Sequence, residues 1–270
     1  MGTSGSSSGP GGGVPLVPPW VPDVGTPAGI AKQDGSVPLQ GGAATAPTAR
    51  FGGARRSLGE FAKAGEGSSL RSGLASYVGR GLGGSANATK RMGGAASRAG
   101  ALFDVLHSLG GSRADSAALG LDLGTLAGRP ANEIIDNLSR LVSPVDGTQD
   151  SESSQRAVNA ALSDLLDEDD TADIGALSEK QIEWVLERYI VYEINNRIEL
   201  DIGKAVLEKA PTASAAIERL DEIRGYVQET VAAAFRARRK AGKIIDRSGA
   251  TKLAVEVIHD TFKVFEEYVQ

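Results

Sequence analysis

The sequence predicts a mostly α-helical protein, with an antiparallel helical bundle in its C-terminal part and a long disordered tail rich in Gly, Pro and Ser before it. Three observations carry this expectation. The 35 glycines of the 270-residue chain are concentrated in its first half, so the foldable length is shorter than the total and one main core is expected. Aromatic residues make up 5% of the chain and hydrophobic residues 41%, many of them alanine, which suits helices packed through small and aliphatic side chains better than a β-sandwich. Beyond Arg129, apolar residues recur at spacings of three and four, the period of a helix with one buried face.

Residues 1–53 mix Gly, Pro, Ser and Ala with neither a helical nor an alternating period, and such a stretch buries too little apolar surface to offset the entropy of ordering it. Within this expected tail, Val14-Pro15-Leu16-Val17-Pro18-Pro19-Trp20-Val21-Pro22 is an apolar patch prone to polyproline II geometry. Two readings stand side by side: a docking peptide for a partner, with Pro18, Pro19 and Trp20 at its centre, or a segment that folds back on its own protein.

Residues 54–128 form a glycine-rich basic segment. Short helices are expected around Leu58 to Ala64, Leu70 to Val78 and Ser97 to Leu109, interrupted by Gly79, Gly81, Gly83, Gly84, Gly93, Gly94, Gly110 and Gly111. A glycine in a helix interior costs roughly 1 kcal/mol, so these helices are marginal alone and need something to pack on.

Residues 129–270 are the expected bundle. Pro130 suits the first turn of a helix running to about Val142, with Ile134, Ile135, Leu138 and Leu141 on one face. A second helix, about Ser154 to Leu166, presents Val158, Ala161, Leu162 and Leu165, and an acidic loop from Asp167 to Asp173 follows. Ser178 and Gln181 form a capping-box pattern that opens a long helix, in which Ile182, Leu186, Ile190, Ile194, Ile198, Ile202 and Val206 recur at every fourth position until Pro211. Thr212 or Ser214 then caps a helix carrying Ile217, Leu220, Ile223, Val227, Val231 and Phe235. A last helix, from about Ser248, buries Ala254, Val257, Ile258, Thr261, Phe262 and Phe265.

Composition also excludes function classes. With no cysteine, the chain has no disulfide framework, thiolate metal site or cysteine nucleophile, and a cytoplasmic protein is expected. No apolar run approaches the ~20 residues that span a bilayer, so no membrane partner is expected. The net charge of -5 conceals a division: Arg55, Arg56, Lys63, Arg71, Arg80, Lys90, Arg91 and Arg98 crowd the middle of the chain, whereas Glu152 to Asp201 is acidic, so the two parts should attract each other.

Catalytic chemistry is hard to place. His107 and His259 lie in amphipathic helices without a second ligand at metal spacing, and His259 and Asp260, as sequence neighbours, should point in different directions. The acidic loop lacks the ligand spacing and glycine of a calcium loop, and Gly79 to Gly84 lacks the preceding strand and the Gly-Lys-Ser/Thr ending of a phosphate loop. No cofactor, no metal and no enzymatic role are expected. Arg236, Arg238, Arg239 and Lys240 are the candidate nucleic-acid contacts, although a helix C-terminus stabilises cations in any case. Gly2 followed by Ser6 fits a myristoylation pattern formally, without the basic stretch that would support an acyl anchor.

The opening Gly2-Thr3-Ser4-Gly5-Ser6-Ser7-Ser8-Gly9-Pro10, the Pro15 to Trp20 patch and the stretch from Tyr77 through Gly84 to Gly93 resemble the QatB family of the bacterial Qat anti-phage defence system. The resemblance implies a non-catalytic component that works beside an ATPase (QatA), a QueC-like enzyme (QatC) and a TatD-like nuclease (QatD). It further implies that the QueC-like partner joins an activated deazaguanine carboxylate to a protein N-terminus, with Gly2 as acceptor and Thr3, Ser4 and Gly5 as the recognised peptide. A helical scaffold that docks the ATPase and nuclease, and a nucleic-acid-binding sensor, are the alternatives.

Overall fold

The structure, a computed structural model, describes residues 13–19, 21, 22, 24, 45–110, 129–144, 147–240 and 249–269. The protein is helical, and among the described residues the sole β pairing is an isolated antiparallel bridge between Pro15 and Thr45. In chain order the α-helices are α1 (Gly52–Ala64), α2 (Gly67–Ser76), α3 (Ser85–Arg91), α4 (Gly93–Leu109), α5 (Ala131–Val142), α6 (Gln149–Glu168), α7 (Glu179–Ile198), α8 (Lys204–Lys209), α9 (Ala213–Lys240) and α10 (Ala250–Glu266). Two π-helical segments interrupt this series: Tyr77–Leu82 follows α2, and Glu199–Gly203 joins α7 to α8.

The chain forms two compact units. Unit 1 comprises Met1–Gly93, Asn195–Thr230 and Val255–Gln270; unit 2 comprises Gly94–Ile194 and Val231–Ala254. Each draws on both the glycine-rich segment and the C-terminal helices, so the short helices of the middle of the chain find the packing partners that their weak intrinsic propensity requires.

In unit 1, α1 and α2 pack so closely that a Cβ on Gly73 would collide with Leu58. Leu58, Phe61 and Leu74 are fully buried there, as are Val206, Val227, Phe262 and Phe265 from the C-terminal helices. Each such side chain contributes roughly 1.5–3 kcal/mol by leaving water. Glu266 accepts a hydrogen bond from the backbone N–H of Ser85 at 2.9 Å, which satisfies one of the open donors at the start of α3.

In unit 2, Leu102 and Leu106 of α4, Leu138 of α5, Val158 and Leu162 of α6, and Leu186, Ile190 and Ile194 of α7 are buried together with Phe235. Helix α5 begins at Ala131 with Pro130 as the residue before it, one position later than the sequence suggests. Helix α6 begins five residues earlier than expected, at Gln149, where the Thr148 hydroxyl accepts from the N–H of Ser151 at 3.2 Å. The apolar pattern missed this turn because its buried residues are serines. Ser151 and Ser154 are fully buried, and the Ser143 hydroxyl donates to the Ser151 carbonyl at 3.0 Å.

The capping box forms as expected: Gln181 N–H donates to Ser178 Oγ at 3.3 Å, and Ser178 N–H donates to Gln181 Oε1 at 2.9 Å. The every-fourth-residue stripe from Ile182 to Val206 is buried at all seven positions. A spacing of four overshoots the 3.6-residue turn of an α-helix, so the stripe would drift around a regular helix. Helix α7 is buried around much of its circumference, at Val185, Tyr189 and Val191 as well, so a drifting stripe stays covered. On α9 Ile217 is 60% exposed and Leu220 half-buried, whereas Ile223, Val227, Val231 and Phe235 are buried.

Candidate functional site

The most unusual chemistry among the described residues lies in unit 1, where its two π-helical segments meet. Tyr77 opens the first segment and is fully buried; Asp201 sits in the second. The Tyr77 hydroxyl donates to Asp201 Oδ2 at 3.0 Å, and Arg197 Nε donates to the same oxygen at 3.3 Å from one turn earlier. Arg55 Nη2 reaches the Asp201 main-chain carbonyl at 3.1 Å. Burial first, and Asp201 second, push the Tyr77 phenol well above its usual range, so it stays protonated and remains a donor.

Two further arginines feel the charge of this carboxylate. Arg50 is 5% exposed, and its guanidinium carbon lies 4.6 Å from the centre of the Phe51 ring. Phe51 in turn stacks on Tyr77 with ring centres 5.6 Å apart, so an aromatic floor fixes the position of the cation. Arg91, at the end of α3, is half-buried and held down to about 10 by burial, then by Arg197, with Asp201 acting in the opposite sense. Burial likewise lowers Arg50. Of the basic middle, Arg55 reaches Asp201 through its main-chain carbonyl, and Arg91 is held by the Leu16 carbonyl.

Arg91 also reaches the N-terminal strap: its Nη1 donates to the Leu16 carbonyl at 3.0 Å. That strap is paired with the chain before α1 through Gly13 N–H to the Ala46 carbonyl at 3.0 Å and Ala46 N–H to the Val14 carbonyl at 2.7 Å. Leu16 is buried, and Gly83, with φ +79°, leaves room that a Cβ would take from the Leu16 side chain. Within the stretch expected as tail, this part folds back on the body. Pro18 is half-buried, with its carbonyl accepting from Val21 N–H at 3.1 Å, and Pro19 is exposed.

Unit 2 holds a second buried polar group. The Tyr189 hydroxyl lies 2.8 Å from Glu193 Oε1 and 3.2 Å from the Ala95 carbonyl, and Glu193 also contacts Ser154. Burial raises the Glu193 carboxyl above its usual range, against the hydrogen bonds from Ser154 and Tyr189 and the nearby Arg98. Arg98 Nη1 donates to the Ser154 hydroxyl at 3.2 Å.

The residues singled out from the sequence fall elsewhere. Gly2, Thr3, Ser4, Gly5 and Trp20 lie outside the described residues. On α9, Arg239 pairs with Glu183 at 3.1 Å and Glu187 at 3.7 Å, both on α7, so these acidic residues offset its charge. Arg236 and Lys240 are exposed, and Arg238 Nη1 donates to the Ala234 carbonyl of its own helix at 3.2 Å. His107 is exposed and stacks on Phe103, while His259 Nδ1 lies 3.5 Å from Asp260 Oδ1, so these neighbours approach each other rather than diverge. The acidic loop is a hydrogen-bonded turn in which Asp169 accepts from Thr171 and Gln181, and Asp173 accepts from Gly175 N–H. Among the described residues no cluster of three or more His, Cys, Asp or Glu side chains suits a metal ion, and no helix is long and apolar enough to cross a membrane.

The sequence places Arg55 and Arg91 in a basic stretch and Tyr77 in the stretch that carries the resemblance, with no sign that Arg50, Arg197 and Asp201 join them. The signal was present only in part, as opposite charges in two distant segments.

No curated protein and no solved structure matches the chain. Residues 83–265 match the family of Qat anti-phage system associated proteins QatB, a span that includes Arg91, Arg197 and Asp201 but begins after the strap and Tyr77. With two thirds of its length in that match, the chain belongs to the QatB family.

Proposed function

We propose that this chain is a non-catalytic component of a Qat anti-phage assembly that presents its own N-terminus to a QueC-like partner. In this reading removal of Met1 frees the Gly2 amine, which attacks the activated carboxyl carbon of a deazaguanine. An amide bond forms, the activating nucleotide leaves, and the amine gives up a proton to solvent. Thr3, Ser4 and Gly5 pass into the enzyme pocket, and Pro18, Pro19 and Trp20 contact the partner's surface.

The observation that supports this reading is the docked strap. Gly13 to Leu16 is tied to the body by two backbone hydrogen bonds, the Arg91 contact and the burial of Leu16. Gly2 lies eleven residue steps before Gly13, so an extended peptide reaches at most about 40 Å from that fixed point. The body thus defines where the amine is delivered, and a small residue at the end lets it enter a narrow pocket.

The scaffold reading draws on a different observation. Leu200, Leu207 and Ile217 of unit 1 are 51%, 57% and 60% exposed, and apolar side chains of this size left in water suit a protein interface. Replacing Gly2 with Glu separates the two readings, since the bulky residue retains Met1 and blocks the amine without touching the body. Acceptor chemistry requires that G2E keep the wild-type melting temperature and lose phage protection. Full protection by G2E would leave the scaffold reading standing.

A further inference from the structure

Helix α3 is flanked by two glycines, and the N-terminal strap rests on both. Gly83, before the helix, leaves the space that the buried Leu16 side chain fills. At Gly93, after the helix, a Cβ would lie 2.5 Å from the Pro22 carbonyl oxygen and 3.4 and 3.5 Å from the side chains of Val21 and Val24. Only a residue without a Cβ lets main chain come so close. Arg91, the last residue of α3, adds its hydrogen bond to the Leu16 carbonyl at 3.0 Å. Between these two notches the strap turns, with Val21 N–H donating to the Pro18 carbonyl at 3.1 Å. Every one of these contacts lies within unit 1.

We infer that Leu16, Gly83, Arg91 and Gly93 are positioning residues that clip the strap to α3 and so shorten the tether of the N-terminal amine, an inference that rests on the acceptor reading above. With the strap seated, Gly2 lies eleven residue steps from the fixed Gly13. With the strap released, the firm attachment moves back to Phe51, which is 4% exposed, precedes α1 and stacks on Tyr77, 49 steps from Gly2. The effective concentration of a tethered group falls as roughly the -3/2 power of tether length, so release dilutes the amine about ninefold at an enzyme docked on the body. The clip itself is small: one buried leucine, the Arg91 contact, the two backbone bonds to Ala46 and the packing of Val21 to Val24 on Gly93. It can therefore open while the helices stay folded.

The test uses the full chain expressed with its neighbouring genes, and the readout is the fraction carrying added mass on the N-terminal peptide soon after induction. Leu16→Ala combined with Gly93→Ala releases the strap: the first empties the Gly83 notch, and the second displaces the Pro22 carbonyl while favouring helix α4. Faster amide exchange at Ala46 reports the release. The released variant should be modified about ninefold more slowly than the wild type. Gly225→Ala, where a Cβ meets nothing within 4 Å, should be modified at the wild-type rate. Deleting residues 6–12 takes seven of the eleven steps and leaves a reach of about 14 Å, so this shortened chain should go unmodified. Releasing the strap in the shortened chain should restore modification to the rate of the released variant, a recovery that a loss of stability cannot produce. If the double variant does not fold, inserting roughly 40 Gly and Ser residues after Gly5 lengthens the tether to the same extent with the strap seated, and should slow modification to the same degree. A folded released variant or lengthened chain modified as fast as the wild type would overturn the positioning role, as would a shortened chain that release does not rescue, and each leaves the acceptor reading standing. A wild-type chain without added mass would overturn both.

Discussion

The Tyr77 phenol donates to Asp201 Oδ2 across 3.0 Å, and this bond joins the two π-helical segments described in the molecule. A π turn is rare because it widens the helix for little gain in hydrogen bonding, and it is found where a side chain must be carried to a particular place. Here the displaced main chain brings a carboxylate among several arginines. Asp201→Asn keeps the shape and removes the carboxylate charge to which Arg197 donates, and should cost ~3 kcal/mol in a urea unfolding experiment. Tyr77→Phe removes one hydrogen bond, leaves Asp201 paired with Arg197, and should cost ~1 kcal/mol. Equal losses in the two variants would show that the carboxylate charge is unimportant.

The strap should detach without unfolding the body. Leu16 is its buried anchor, and Ala46 N–H is held by the Val14 carbonyl. Leu16→Ala should speed amide exchange at Ala46 about tenfold or more while Leu58 and Phe61, in the core of unit 1, keep wild-type protection. Unchanged exchange at Ala46 would mean that the backbone bridge holds without the side chain.

The apolar stripe of α7 tolerates no charge. Ile194 is completely buried, and Ile194→Asp places a carboxylate there. A loss of several kcal/mol is expected, read as a large drop in melting temperature. A variant that melts with the wild type would contradict the assignment of that face.

Glu193 makes stability depend on pH. Its folded carboxyl is raised by burial above the ordinary value of 4.5, so between those two values the folded state binds more protons than the unfolded state. The stabilisation is therefore fully present below pH 4.5 and is lost as pH rises through the folded value. A protonated Glu193 can donate to Tyr189, which then donates to the Ala95 carbonyl, so each hydrogen finds an acceptor. Glu193→Gln mimics that protonated form. Relative to the wild type, its melting temperature should rise as pH increases from 4 towards neutrality, and a constant difference across that range would rule out the linkage.

Much of the helical framework was legible because it follows from local rules. The Ser178–Gln181 capping box, the Thr212 cap on α9 and the stripes of α7 and α10 depend on residues within a few positions of one another. The start of α6 was not legible, since its buried turn is made of serines satisfied by Ser143 and by each other's backbone. Gly79 and Gly81, expected to break the helix, lie inside the π segment Tyr77–Leu82, and Gly73, within an expected helix, lets α2 approach Leu58 of α1 because it has no Cβ. The arginine cluster was the least visible feature. Arg50, Tyr77, Arg91 and Asp201 are far apart in the chain, and no spacing rule connects them; only the fold does. The same is true of Leu16, whose burial depends on Gly83 and Arg91.

Intact mass and N-terminal peptide sequencing of this chain, purified after expression with its neighbouring genes, bear most directly on the proposed role. The expected result is a protein lacking Met1 and carrying added mass confined to the Gly2 amine, with that mass absent when the QueC-like partner is inactivated. An unmodified Gly2 in a chain drawn from cells that are fully protected against phage would contradict it.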